Sequence, residues 1–171
     1  MFEPLDPTKW REFFFTVATA SAALIGLIVV GLSIHADYIA GSITHRSHAR
    51  ATLVVLTAVM ATGLVALVPQ PPEWVGYEVG LIALGFVSIN TYNNTKALRQ
   101  VAWRLPGAAW RRMAIGYAIG ACGLIGAVSI VAGGGQGGGL YWIGLETIAG
   151  LVWAIAGAWR FLIGVEDDRR L

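Results

Sequence analysis

WVGYEVGLIALGFVSINTYNNT (residues 74–95) and WIGLETIAGLVWAIAGAWRFLI (residues 142–163) open on one five-residue pattern, Trp-[Val/Ile]-Gly-x-Glu, and continue as runs too apolar for a water-facing surface. A helix needs about 20 apolar residues to cross the hydrocarbon of a bilayer. Each segment therefore reads as a membrane helix with a carboxylate near its start, at Glu78 and Glu146. Working outward, three further runs qualify, which places spans at 13–34, 51–68, 74–95, 113–131 and 140–163. The expected fold class is all-α: an integral membrane bundle of five transmembrane helices in a single domain, residues 1–171.

Composition bounds the chain in the same direction. Of 171 residues, 56% are hydrophobic and 13% charged, and the mean hydropathy is +0.65. Too few ionisable groups remain to clothe a water-soluble globule or to build an extramembrane domain. The net charge of +2 comes from basic residues beside the spans, so it reports topology and no nucleic-acid partner is expected. The lone Cys122 excludes an intrachain disulfide and reads as a small core residue. The first apolar run is long enough to span and its N-terminal flank is acidic and aromatic, so we expect it to be a retained helix rather than a cleaved signal.

Lys and Arg accumulate on the cytoplasmic side of membrane helices. Arg46 and Arg50 flank the first loop, Lys96, Arg99, Arg104, Arg111 and Arg112 crowd the third, and Arg169 and Arg170 follow the last span, against only Lys9 and Arg11 on the opposite side. This predicts an outside N-terminus and a cytoplasmic C-terminus. Trp10, Trp74 and Trp142 would form the outer aromatic belt, with Tyr38, Trp103, Trp110 and Trp159 the inner one. Both outer turns, Pro69-Gln70-Pro71-Pro72 and the glycine run 133–139 around Gln136, carry a glutamine and lead into the shared pattern. Spans two and three thus read as a parallel repeat of spans four and five, with span one unpaired.

Small residues recur at i, i+4 as Ala18, Ala22 and Gly26, as Gly76 and Gly80, and as Gly116 and Gly120. Such faces let helix backbones approach closely in lipid; most would pack the bundle and the remainder would support a homo-oligomer. The stretch 96–112 alternates Leu98, Val101, Ala102 and Leu105 with Lys96, Arg99 and Arg104. It reads as an amphipathic cytoplasmic loop held by anionic lipid, or as a simple topogenic loop.

Few residues carry chemistry. A carboxylate within hydrocarbon costs roughly 3 kcal/mol on insertion scales and more in simulation, so Glu78 and Glu146 are candidates for a cation or proton site near the outer mouth. Alternatively they tie the turns to neighbouring helices by accepting hydrogen bonds from Tyr77, Tyr141, Gln70 or Gln136. Ser88, Thr91 and Thr95 share a helical face and could line a path with Thr16, Thr19, Ser21 and Ser33, or serve as interhelical hydrogen-bond glue. His35, Asp37, His45 and His48 offer a metal or pH-sensing cluster, but their spacing matches no metal-site pattern, and no metal, haem or other cofactor is expected. There is no nucleophile elbow, no His-Glu-x-x-His and no phosphate loop, so catalysis is not expected.

The stretch 20–34, the Val68-Pro69-Gln70 turn, Gly76-Tyr77-Glu78 and Gly138-Gly139-Leu140-Tyr141-Trp142 resemble a group of small uncharacterised bacterial polytopic inner-membrane proteins. The likeness extends to Trp10, Phe13-Phe14 and Ala158-Trp159. It implies a multi-pass protein of the bacterial inner membrane and transfers no activity; Glu146 is less typical of that group than Glu78. The function expected from the sequence is a small oligomeric channel or transport-like protein with its cation or proton site at Glu78 and Glu146. The alternative is a non-catalytic accessory or regulatory subunit of a larger membrane complex.

Overall fold

The computed structural model describes residues 7–34, 43–100, 107–133 and 138–169. These residues form five helices: α1 (Pro7–Ile34), α2 (Ile43–Leu67), α3 (Pro72–Gln100), α4 (Gly107–Gly133) and α5 (Gly139–Arg169). There is no strand among them. Each helix holds a stretch long and apolar enough to cross a membrane: Lys9–Ile34, Ala49–Leu67, Pro72–Thr95, Met113–Gly133 and Gly139–Trp159. The chain is that of an all-α, multi-pass membrane protein. The helices outrun these stretches at several ends. In particular, residues 96–100 continue α3 as helix, so the expected loop 96–112 is divided between the end of α3, six residues outside the described ones, and the start of α4.

Local chemistry explains the two turns that position the shared pattern. After α2, Pro69 and Pro71 cannot supply the N–H groups that would continue a helix. Pro72, pre-set in φ, then opens α3 with Glu73 in its first turn, where a carboxylate favours the helix dipole. The Pro71 carbonyl accepts hydrogen bonds from the N–H groups of Trp74 (3.0 Å) and Val75 (3.4 Å). Entry into α5 instead uses Gly138, whose φ of +26° lies where only glycine is comfortable. Its carbonyl accepts the Tyr141 N–H at 3.1 Å.

Helices α2, α3, α4 and α5 form a closed ring in which each touches its two neighbours, with no α2–α4 or α3–α5 contact among the described residues. Helix α1 lies outside the ring, packed along α2 and touching α5 only slightly. Glycines set the closest approaches. A methyl group placed on Gly76 would lie 2.6 Å from Val131 Cγ2, and one on Gly120 2.4 Å from Val87 Cγ2, so the glycine faces of α3 and α4 receive each other's side chains. Gly63 of α2 accommodates Ala18 and the Phe14 carbonyl of α1, while Gly150 of α5 accommodates Val59 of α2. By contrast Gly26 and Gly31 of α1 have nothing within 4 Å of a Cβ. The small-residue stripe of α1 is used at Ala18 and open at Gly26.

Two apolar clusters fill the bundle. One, towards the end that carries the two turns, groups Phe14, Val79, Ala127, Ile130 and Ile143. The other, towards the opposite end, groups Val17, Val55, Leu56, Val59, Phe86, Ile119 and Ala154.

Candidate functional site

Each ring helix has a short interval between the two clusters. On α2 Thr62 falls between Val59 and Val65; on α3 Ala83 falls between Val79 and Phe86; on α4 Gly123 falls between Ile119 and Ala127; on α5 Glu146 and Thr147 fall between Ile143 and Ala154. The result is one thin layer of polar and small residues enclosed by hydrocarbon on both sides. Thr62 and Thr147 are fully buried, Ala83 is 1% exposed and Glu146 is 3% exposed. The register agrees: α5 meets α2 through Gly150 against Val59 and Gly157 against Thr52. Because the two helices run antiparallel, Thr62 stands level with Glu146 and Thr147.

Within the layer the Glu146 carboxyl group fills the space left by the missing side chain of Gly123. A methyl group there would lie 2.8 Å from its carboxyl carbon and 2.9 Å from Oε2. Oε2 is buried and has no hydrogen-bond partner among the described residues, and the same is true of Thr62 Oγ1. The Thr147 hydroxyl is occupied, donating to the Gly144 carbonyl at 2.9 Å. Cys122, the residue before Gly123, is a half-buried free thiol. A carboxyl with one unsatisfied oxygen in this setting is expensive, whereas helix packing alone would be served by an aliphatic side chain.

Glu78, at the same place in the first copy of the pattern, has a different setting. It is half-buried, and its Oε2 accepts a 2.7 Å hydrogen bond from Gln70 Nε2 in the α2–α3 turn. Of the four possible donors anticipated from the sequence, this is the one that the described contacts supply to it. Glu78 and Glu146 stand on α3 and α5, which make no contact among the described residues, so the structure does not join them in one site.

The two hairpins also differ at the starts of α3 and α5. Gly144, two residues before Glu146, lies under Trp10, with a methyl there 2.9 Å from the indole. Trp10 also meets Tyr141 edge-on at 5.1 Å and packs against Phe13 and Phe14 at 5.5 and 5.7 Å. This aromatic group caps the start of α5. Among the described residues the start of α3 has no such cap: Trp74 and Tyr77 are exposed and meet each other edge-on at 6.2 Å.

The remaining candidates separate. Ser88, Thr91 and Thr95 lie on the exposed side of α3. Their hydroxyls donate to the carbonyls of Leu84, Val87 and Tyr92, and Thr91 also exchanges a 3.1 Å hydrogen bond with Tyr117 of α4. On α1, Thr16, Thr19 and Ser33 are exposed and Ser21 buried, each bonded to a carbonyl four residues earlier. Asn90 Nδ2, set against Gly116, is the third buried side-chain atom without a partner among the described residues. His35, Asp37 and Gln136 lie outside the described residues, as do the side chains of His45 and His48. Among described residues no group of three His, Cys, Asp or Glu side chains could hold a metal. Thr62 and Gly123 are site residues that sequence reading did not single out; the only signal for Gly123 was one more glycine in a glycine-rich helix. Compared with protein-family models, curated proteins and solved structures, the chain matches none.

Proposed function

We propose that this multi-pass membrane protein is transport-like, and that it moves a proton or small cation by way of the carboxyl group of Glu146. The observation that carries this reading is the placement of a 3%-exposed carboxyl group in a polar layer closed by apolar clusters on both sides. Intramembrane acids are retained where they bind ions or relay protons. A layer sealed on both faces fits a site that opens to one side at a time better than it fits an open pore. Glu78, half-buried beside the turn and bonded to Gln70, would then serve at the mouth, as a relay or an anchor. The bacterial inner membrane, with an outside N-terminus and the hairpin repeat, is the setting we propose for it. The closed α2–α3–α4–α5 ring is compatible with a repeat, since equivalent helices stand diagonally.

The test is proton and monovalent-cation flux into liposomes containing only this protein, with Glu146→Gln and Glu78→Gln run singly. Flux that is lost in the first variant and largely kept in the second supports the reading; flux indifferent to Glu146, or none from folded protein, overturns it. A second reading, a non-catalytic subunit that docks on a membrane partner or on copies of itself, is favoured by the unfilled Gly26 face of α1. A partner that co-purifies at fixed stoichiometry, together with silence in the flux assay, would decide for it.

A further inference from the structure

We infer that the layer formed by Glu146, Thr62 and Gly123 is a proton site rather than a metal-cation site, with Thr62 Oγ1 the second oxygen through which the proton is held and released. This rests on the reading of Glu146 as the transport group and names its substrate. Sodium, potassium or calcium would need several oxygen ligands, six to eight for calcium. The layer offers the two oxygens of one carboxyl group and the hydroxyl oxygens of Thr62 and Thr147, the latter with its hydrogen given to the Gly144 carbonyl; the other two helices contribute Ala83 and Gly123, which have no ligating side chain, so the side chains fall short of a metal's shell. A proton needs no such shell. The neutral acid, –COOH, can donate its one hydrogen to an oxygen that comes within reach, and the unpartnered hydroxyl of Thr62 is a buried oxygen level with it, although the two are not hydrogen-bonded to each other in this structure. Release leaves –COO⁻ and one proton, with no other bond changed.

No opposing charge competes for this role among the described residues. Lys9, Arg11 and Glu12 of α1, Arg50 of α2, Glu73 of α3 and Arg111 of α4 are exposed. Glu78 of α3 is engaged by Gln70, and Cys122 on α4, half-buried, is the residue before Gly123. Gly123 gives the carboxyl its place, because any larger residue would occupy the position of the acid.

Dicyclohexylcarbodiimide, an apolar reagent, distinguishes the alternatives. A protonated carboxyl adds across its C=N bond, and the adduct rearranges to a stable N-acylurea that retains the whole reagent, detectable by peptide mass spectrometry. With the full chain in liposomes, Glu146 should be modified, modification should fall as pH rises, and sodium, potassium or calcium should leave its rate unchanged. In Thr62→Val the profile should move to higher pH, because a hydroxyl holds the charged carboxylate, as donor, more strongly than it holds the neutral acid, as acceptor, and Thr62→Ser should restore it. An unlabelled Glu146 in folded protein, protection by any of these cations, or a Thr62→Val profile identical to the parent overturns the inference. Labelling without flux would leave the proton site standing and sink the transport reading; flux without labelling would do the reverse.

Discussion

The two copies of Trp-[Val/Ile]-Gly-x-Glu give the same residues opposite fates. In the α2–α3 hairpin, Gly76 packs against α4 while Glu78 reaches back to Gln70 in the turn. In the α4–α5 hairpin, Gly144 packs under Trp10 of α1 while Glu146 is enclosed against Gly123. What stands across from each acid accounts for the asymmetry: the vacant side-chain position of Gly123 on α4 takes in the Glu146 carboxyl, while Gln70 in the turn holds Glu78. Depth along the helix therefore does not fix the environment of an intramembrane acid; the neighbour across from it does.

The largest expected effect tests that contrast directly. Glu146→Lys places an unpaired ammonium between two apolar clusters and should cost about 3 kcal/mol or more, measured by unfolding in micelles. Glu78→Lys, beside the turn, should change stability by less than about 1 kcal/mol. Equal losses would erase the distinction between the hairpins.

Next come the glycines. Gly123→Ala drives a methyl into the Glu146 carboxyl and should destabilise by roughly 1–3 kcal/mol, the usual range for overpacking. Gly26→Ala, with open space around it, should be neutral or gain up to about 1 kcal/mol from helix propensity. A Gly123→Ala protein as stable as the parent would mean the carboxyl does not occupy that niche.

A subtler change sharpens the role of the cap. Gly144→Ala pushes the Trp10 ring off α5, and Glu146 should then become reactive to a water-soluble carbodiimide that barely touches it in the parent. Gly76→Ala, which meets α4 instead, should leave that reactivity unchanged. The smallest effect belongs to Gln70→Ala: it removes one hydrogen bond to a half-buried carboxylate and should cost about 1 kcal/mol or less. A larger loss would make the first hairpin as dependent on its acid as the second.

Much of the architecture was legible without coordinates. Five runs of apolar residues dictate five helices, because a backbone in hydrocarbon must satisfy its own hydrogen bonds. Prolines 69, 71 and 72 and the glycine run mark where two spans end, and the i, i+4 glycines mark faces for close packing, which α3 and α4 turn towards each other in the bundle. Gln70 was one of four donors that the sequence offered to the two acids, and the structure gives it to Glu78. The site around Glu146 was not. Thr62 and Gly123 are distant in sequence and chemically plain, and they gain meaning only when four helices place them at one level. Ser88, Thr91 and Thr95 share a face as their spacing requires, yet spacing is silent on which way that face turns; in the bundle it lies outward.

The sequence by itself determined the solvent, the number of spans and the turns, because those follow from local hydropathy and backbone chemistry. Which of two matching carboxylates is sealed away was decided by the tertiary structure alone: burial is set by what packs across from a residue, and Gly123 of α4 stands across from Glu146.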